Sequence, residues 1–245
     1  MSITNTKAEI LLHKASTRGF FDFGWLQTYH SFSFSSFYNP HRMNFGALRV
    51  LNDDTVAAKS GFGMHDHRNM EIVSIPLQGK LQHEDSEGNK GTLGTDEVQV
   101  MSAGTGITHS EKNASKEEPV SFLQIWIIPK VKDTTPSYHQ LSFDSNGKID
   151  QSQLLVSEDG RNNSLQIGQE AFISRIQLVD LKVFEYNFYN KNNQLYVFLI
   201  EGEITINGNP MERRDGACVL SQQHLSIQTQ ESADLLFIEV TPSIK

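Results

Sequence analysis

The chain has 245 residues, of which 38% are apolar and 20% charged, so it can bury a sizeable core and is not a disordered chain. Its formal net charge is −8, from 21 Lys and Arg against 29 Asp and Glu, and this excess of acid disfavours a direct nucleic-acid partner. The single cysteine, Cys218, excludes an internal disulfide, and the lack of a signal-like N-terminus or a membrane-length apolar window predicts a cytoplasmic protein without a membrane partner.

The predicted elements are strands along the whole chain. In chain order, short runs rich in apolar, β-branched and aromatic residues predict strands at residues 98–101, 122–128, 195–200, 203–206 and 235–240. Asn207 and Gly208 follow the fourth run, and this pair suits a tight hairpin turn because both residues tolerate positive φ. Convincing amphipathic helices are absent. The pattern predicts an all-β fold of antiparallel sandwiches or barrels.

Residues 129–168 differ from the rest of the chain, because Gly, Asn, Asp, Ser and Pro cluster there and predict a connection between two β-rich halves. An internal echo supports this division: Gly79 and Gly202 each follow an apolar run and precede a second run about twenty residues later. We therefore expect two antiparallel β-barrel domains, one in residues 1–135 and one, preceded by a linker, in residues 136–245.

Three histidines and one glutamate form two motifs with the same spacing. His65 and His67 form an HxH pair, and His109 and Glu111 repeat the i, i+2 arrangement later in the chain. Side chains two residues apart on a strand point to the same face. Two neighbouring strands of this kind would aim four ligand-capable groups at one point, so the sequence predicts a mononuclear metal site made of these four residues.

The ligand set indicates the kind of metal site. Three imidazoles and one carboxylate suit Fe(II), Mn, Ni, Cu or Zn, whereas a structural zinc site would typically need thiolates that one cysteine cannot supply. A lone HxH pair occurs more often on a surface or in a core, but a second motif of matched spacing favours a catalytic metal. At the offset of the internal echo, Gln228 and Gln230 take the places of His109 and Glu111, so no second metal site is expected.

These motifs resemble those of the pirin family within the cupin superfamily. The first cupin motif has an HxH pair followed by a glutamate, here Glu71, and the second contains Gly104 and His109. Glycine in place of proline at position 104 departs from the general cupin pattern in the way that pirin-like proteins do. The resemblance implies a bicupin whose N-terminal domain alone holds one divalent metal, with Fe(II) expected first and Mn, Ni, Cu or Zn as alternatives. It also implies that Glu111, and not Glu71, is the carboxylate ligand.

Other residues near the motifs are candidates for a supporting role. Glu71 would share the face of the HxH pair if its strand continued, and we expect it to orient an imidazole through a hydrogen bond rather than to bind metal. Phe62, Met64 and Phe45 are candidates for an apolar pocket that takes a planar ligand, although core packing is the ordinary role of such side chains. His83 is expected in a polar turn, outside the site.

The resemblance implies a metal-dependent dioxygenase that acts on a flavonol such as quercetin with O₂. Glu111 would be both a metal ligand and the catalytic base that takes the hydroxyl proton of the substrate. One alternative is a metal- or redox-sensing protein that contacts a regulator without turnover, and another is a sugar isomerase or a different small-molecule cupin enzyme. We expect a monomer whose partners are a small aromatic substrate and O₂.

Overall fold

The structure, a computed structural model, describes residues 10–220 and 225–242. Apart from strands, the described residues contain three short 3₁₀ helices, at Ala15–Thr17, Ser145–Lys148 and Arg161–Asn163. Within this part of the chain, no helix has the length and apolar content needed to cross a bilayer. The predicted all-β class is confirmed.

The strands are numbered in chain order. The first twelve are β1 (Ile10–His13), β2 (Gly19–Asp22), β3 (Leu26–His30), β4 (Leu48–Val56), β5 (Gly61–His67), β6 (Glu71–Gln78), β7 (Leu81–Asp85), β8 (Lys90–Leu93), β9 (Glu97–Ser102), β10 (Ile107–Asn113), β11 (Val120–Ile127) and β12 (Ser137–Ser142). The other ten are β13 (Gln153–Ser157), β14 (Leu165–Gln166), β15 (Ala171–Leu178), β16 (Lys182–Tyr186), β17 (Gln194–Glu201), β18 (Ile204–Ile206), β19 (Asn209–Met211), β20 (Gly216–Val219), β21 (Leu225–Thr229) and β22 (Ala233–Val240).

Each half of the molecule consists of one large and one small sheet. In the N-terminal half, a seven-stranded sheet of order β12-β9-β6-β11-β4-β3-β2 packs against a four-stranded sheet of order β5-β10-β7-β8. In the C-terminal half, the corresponding orders are β1-β20-β17-β22-β15-β13-β14 and β16-β21-β18-β19. Each half is therefore a pair of packed sheets, consistent with the jelly-roll form of a cupin, rather than a closed barrel.

The two halves share a core between their large sheets. This cluster combines side chains of the N-terminal half, such as Leu51 and Leu123, with Tyr196, Phe198 and Leu236 of the C-terminal half. The central strands of both large sheets are thus covered on two faces, which explains why their sequences are nearly continuous apolar runs instead of alternating patterns.

The predicted hairpin turn is present at Asn207 and Gly208, and Gly79 and Gly202 also lie in turns. Asn207 and Gly208 connect β18 to β19 with φ values of 46° and 82°. Gly79 and Gly202 follow β6 and β17 with φ values of 76° and 95°. A Cβ atom would lie 2.8 Å from a backbone oxygen at Gly79 and 2.5 Å at Gly202, so both turns require glycine for steric reasons as well.

Sheet membership differs from the expected domain division. Residues 137–142, expected within the linker, form β12 and pair with β9 of the N-terminal half. Residues 10–13, expected in the N-terminal domain, form β1 and pair with β20 of the C-terminal half. Each of these strands covers an edge that would otherwise expose unpaired backbone groups. We propose a domain division that follows the sheets, with β2–β12 in one domain and β1 with β13–β22 in the other.

Candidate metal centre

The two predicted motifs lie on neighbouring antiparallel strands, β5 and β10. His109 is directly opposite His65, and Ile107 is opposite His67. The register then shifts, so that Glu111 is opposite Phe62 and β5 contains one extra residue at this point. This bulge lies beside the histidines, where such irregularities commonly re-aim side chains.

The three imidazoles of the motifs come together in one cluster. The ring centroids of His65 and His109 are 4.4 Å apart, and the ring of His67 lies 4.8 Å from each of them. One ligand-capable atom from each of the three residues lies within 4.8 Å of the other two. The strands thus form a three-imidazole site of the kind that a transition metal occupies.

The hydrogen bonds of the cluster leave imidazole nitrogens free to bind a cation. His65 Nδ1 lies 2.8 Å from the carbonyl oxygen of Gly63, so Nδ1–H donates and the lone pair of Nε2 remains available. His109 Nε2 is buried and has no hydrogen-bond partner among the described residues. A buried nitrogen without a partner is costly unless a ligand completes its bonding, so these side chains fit a metal ion.

Burial keeps two of the imidazoles neutral. Burial, together with the neighbouring imidazole of His65, lowers the pKa of His67 to about 4 and that of His109 to about 2. Only the neutral imidazole has the lone pair that a metal needs. These two side chains are therefore in the ligand-competent state at neutral pH.

Glu111 is held apart from the HxH pair by a buried network. Its Oε1 accepts hydrogen bonds from Ser74 Oγ at 2.8 Å and Gln99 Nε2 at 3.0 Å, and its Oε2 accepts one from Gln124 Nε2 at 2.6 Å. Burial raises the pKa of Glu111, and the hydrogen bonds from Ser74 and Gln124 and the imidazoles of His83 and His65 oppose that effect. In the structure, its carboxylate forms a second ligand-capable group with His83 and His109, so the four predicted residues fall into two groups that share His109.

His83 was misplaced by the sequence prediction. It lies on β7 with a fully buried side chain, between Asp85 and His109. Its Nε2 is 3.0 Å from Asp85 Oδ2 and its Nδ1 is 3.4 Å from His109 Nδ1. If His83 Nε2–H donates to the carboxylate of Asp85, His83 Nδ1 can accept a hydrogen bond from His109 Nδ1–H. His109 Nε2 then keeps its lone pair. The sequence of residues 81–85 does contain a signal that His83 is buried. Leu81, His83 and Asp85 alternate with Gln82 and Glu84, so on a strand His83 shares the face of an apolar leucine.

Glu71 does not contact an imidazole in this structure, contrary to the expectation. Asn69, with φ of 51°, ends β5 in a turn, so Glu71 begins a new strand in the other sheet. Its carboxylate accepts hydrogen bonds from Ser102 Oγ at 2.6 Å and from the backbone N–H of Gly168 at 3.0 Å, which ties the two halves together. Phe45 also lies away from the cluster, in the core between the halves.

Aromatic rings border the cluster on two sides. The ring centroid of Phe62 is 6.3 Å from that of His65, in agreement with a place near the site. Trp126, which was not predicted as a site residue, lies with its ring centroid 4.9 Å from that of His67 in an edge-to-face arrangement. Met64 is 56% exposed and points away from the buried part of the site.

The comparisons with known proteins cover nearly the whole chain. The family model Pirin matches residues 12–127, and the model Quercetinase C-terminal cupin domain matches residues 154–240. A quercetin 2,3-dioxygenase of Escherichia coli is 38% identical over 233 residues, which is 95% of this chain and 99% of the relative. A pirin-like protein of Caulobacter vibrioides is 38% identical over 89% of this chain and 94% of its own length.

Solved structures show the same architecture. The chain matches the crystal structure of YhhW from Escherichia coli with a TM-score of 0.91 and 38% identity, over 97% of this chain and all of that one. A second structure, of the same bacterial pirin in complex with nickel(II), matches with a TM-score of 0.90 and 37% identity over 96% of this chain and 100% of that one. The strand arrangement around the imidazole cluster is thus shared with a metal-binding relative.

Proposed function

Because the chain belongs to the pirin family, we propose that it is a metal-dependent dioxygenase that cleaves a flavonol such as quercetin with O₂. Relatives named quercetin 2,3-dioxygenase match it over nearly their whole length, which supports this reaction. The observation that carries the proposal is the convergence of three imidazoles on one point, with His109 Nε2 buried and unpartnered among the described residues.

The proposed metal ligands are His65, His67, His109 and Glu111. We propose Fe(II) as the metal, with Mn, Ni, Cu and Zn as alternatives that the same donor types accept. Nickel(II) is the ion in the complex of the Escherichia coli pirin. When bound, the metal supplies positive charge that favours the deprotonated hydroxyl of a flavonol, and open positions for small ligands.

Glu111 is the proposed proton acceptor. Ser74 and Gln99 occupy both acceptor directions of its Oε1, whereas Oε2 accepts a single bond from Gln124 and keeps one direction free. The flavonol hydroxyl proton would therefore be taken at Oε2. Burial favours the neutral carboxyl, so the protein environment stabilises the carboxyl group after it has received that proton.

Trp126 and Phe62 are proposed to position the substrate. Their rings border opposite members of the HxH pair and provide flat apolar surfaces for a planar molecule. Trp126 Nε1 is also buried without a hydrogen-bond partner among the described residues, so it can donate to a polar group of the substrate.

The proposal is tested by metal reconstitution. The purified protein is loaded separately with Fe(II), Mn(II), Ni(II) and Cu(II), and loss of the flavonol absorption band is followed under air and under nitrogen. We expect oxygen-dependent loss that disappears in His109→Ala and Glu111→Gln and persists in His41→Ala, a control at an exposed histidine. A protein that binds metal tightly and responds to its redox state without turnover would instead support the sensing alternative.

We also propose that the chain acts as a cytoplasmic monomer with a small aromatic substrate and O₂. The outer faces of both large sheets are already covered by the core between the halves, so neither needs a second chain. The single cysteine fits a reducing compartment. Light scattering coupled to size-exclusion chromatography checks the monomer, and a mass of twice 27.6 kDa would contradict it.

A further inference from the structure

A cavity of about 540 Å³ lies at the seam between the two halves, and none of the residues of the metal centre lines it. Its size is within the range of small-molecule sites. Arg18, Tyr29 and Asp53 line it from the N-terminal half, and Glu201, Arg213 and Arg214 line it from the C-terminal half. The cavity therefore exists only because the two halves are packed together.

The walls of this seam cavity carry an excess of positive charge. Arg18 Nη1 is 3.2 Å and Arg214 Nε 3.6 Å from the same oxygen of Asp53. Arg213 donates two hydrogen bonds to Glu201, at 2.6 and 2.9 Å, and Arg214 Nη2 donates a third at 3.3 Å. Three guanidinium groups thus share two carboxylates, which leaves one uncompensated positive charge on the wall of a chain whose net charge is −8.

The guanidinium groups of Arg18 and Arg214 are buried, but not all of their nitrogen atoms have hydrogen-bond partners among the described residues. The side chains of Arg18 and Arg214 are 5% and 12% exposed. Arg18 Nε and Arg214 Nη1 find no hydrogen-bond partner within residues 10–220 and 225–242. Burial lowers the pKa of Arg214, and the guanidinium groups of Arg213 and Arg18 lower it further against the pull of both acids. A buried cation in this state is stabilised by an additional anion.

The backbone and the aromatic wall add two further features. Arg214 has φ of 68°, a left-handed conformation that a non-glycine residue adopts at a cost and that is common at binding sites. The guanidinium carbon of Arg18 lies 4.7 Å from the ring centroid of Tyr29. A flat cationic and aromatic surface of this kind suits a planar ligand.

We propose that the seam cavity binds an aromatic monocarboxylate, with its carboxylate held by Arg214 and Arg18. The fork of a guanidinium group matches a carboxylate, and a single negative charge balances the single excess positive charge. A phosphate dianion would carry more negative charge than the wall can compensate, because Asp53 and Glu201 remain beside it. This site is independent of the proposed flavonol reaction.

The site is tested with benzoate as the probe, by calorimetry on the full chain. We expect one benzoate per chain, no measurable binding of the neutral analogue benzamide, and weaker binding of inorganic phosphate. Arg214→Gln and Arg18→Gln should each weaken benzoate binding about tenfold or more, since each removes a charged donor. Arg161→Gln, at an exposed arginine paired with Asp159, is the matched control and should leave the affinity unchanged.

A variant that is expected to bind benzoate more tightly distinguishes a loss of the binding site from misfolding. Glu201 has a half-exposed side chain, so Glu201→Gln is expected to fold normally while freeing Arg213 and Arg214 from a competing carboxylate. Benzoate should then bind about threefold to tenfold more tightly. The proposal is overturned if the wild type does not bind benzoate at about 10 mM, if benzamide or phosphate binds as well as benzoate, or if none of the three cavity variants changes the affinity.

Discussion

The two halves of the chain share one strand order but differ in what fills them. In the small sheets, β10 lies between β5 and β7 just as β21 lies between β16 and β18. In the large sheets, β6 and β11 correspond to β17 and β22, and Gly79 and Gly202 occupy the same turn. Residue positions in the two halves can therefore be matched through the strand register.

At the metal-centre positions, the C-terminal half is apolar. The register matches His83, His109 and Glu111 with Ile206, Leu225 and Ile227, respectively. The same comparison matches Asp54, Ser74, Gln99 and Gln124 with Ile176, Val197, Ala217 and Phe237. All seven counterparts belong to the buried core of the C-terminal half.

This difference shows that the strand framework does not determine whether polar or apolar side chains fill the interior. Backbone hydrogen bonds and turns specify the sheets in both halves, and either a packed apolar core or a hydrogen-bonded polar network can fill the space between them. A polar interior stabilises the fold less, because each buried polar group must regain the hydrogen bonds that it loses with water. The chain thus places its candidate site in one half and apolar side chains at the matched positions of the other.

The largest effect is expected when the N-terminal half is given the residue of its counterpart. His109→Leu should abolish flavonol turnover and weaken metal binding by more than about 100-fold, since it removes a ligand shared by both ligand-capable groups. Metal content after gel filtration and competition with a chelator measure this. Leu225→Met, at the matched position of the other half, should leave metal content unchanged. If His109→Leu bound metal as tightly as the wild type, His109 would not be a metal ligand.

The reverse exchange should show why the matched positions of the C-terminal half carry apolar side chains. Phe237→Gln copies Gln124 into an apolar environment, where the amide has no partner and the aromatic contacts are lost. We expect the free energy of unfolding to fall by about 3–5 kcal/mol, measured by urea denaturation. Gln124→Met in the N-terminal half should cost about 1–3 kcal/mol. A cost below about 1 kcal/mol for Phe237→Gln would show that the C-terminal core tolerates polar groups.

A buried acid in the N-terminal half should produce a pH-dependent stability that its apolar counterpart cannot. Burial raises the pKa of Asp54 to about 7 from its ordinary value of 3.8, and its match in the C-terminal half is Ile176. The folded state therefore holds this proton more tightly, and stability is lost as the pH rises from about 4 to about 7, by up to roughly 4 kcal/mol. In the metal-free protein, Asp54→Asn should flatten this slope and Asp133→Asn, at an exposed position, should not. An unchanged slope in Asp54→Asn would contradict the assignment.

Sequence patterns predicted the strands of the candidate site because the relevant signals are local. The i, i+2 spacing of His65 with His67 and of His109 with Glu111 directly encodes a shared face on each strand, and glycines mark the turns. What could not be predicted depends on pairing between distant residues. The alternation of residues 81–85 indicates that His83 is buried, but its contact with His109 depends on β7 pairing with β10, where His83 is opposite Glu111.

The register of strand pairing also explains two differences between the sequence predictions and the structure. A constant sequence offset matched His109 and Glu111 with Gln228 and Gln230, whereas strand pairing matches them with Leu225 and Ile227, three residues earlier. Strand pairing also joins β1 and β12 to sheets on the other side of the predicted domain division. Nothing in the residues of an edge strand states which sheet it completes.

The smallest effect concerns His83, which touches a proposed ligand without being one. In His83→Phe the ring volume is kept, but His109 Nδ1 loses its acceptor and Asp85 loses a donor in a fully buried position. We expect metal affinity to fall about 10- to 100-fold, because the tautomer and orientation of His109 are no longer fixed. Asp85→Asn should have a smaller effect, since the turn at Asn89 still holds residue 85. Nitrogen NMR of the imidazoles provides an independent readout, with a protonated His109 Nδ1 in the metal-free wild type and a mixture of tautomers in His83→Phe. If both the metal affinity and the tautomer were unchanged, His83 would be a packing residue that does not orient His109.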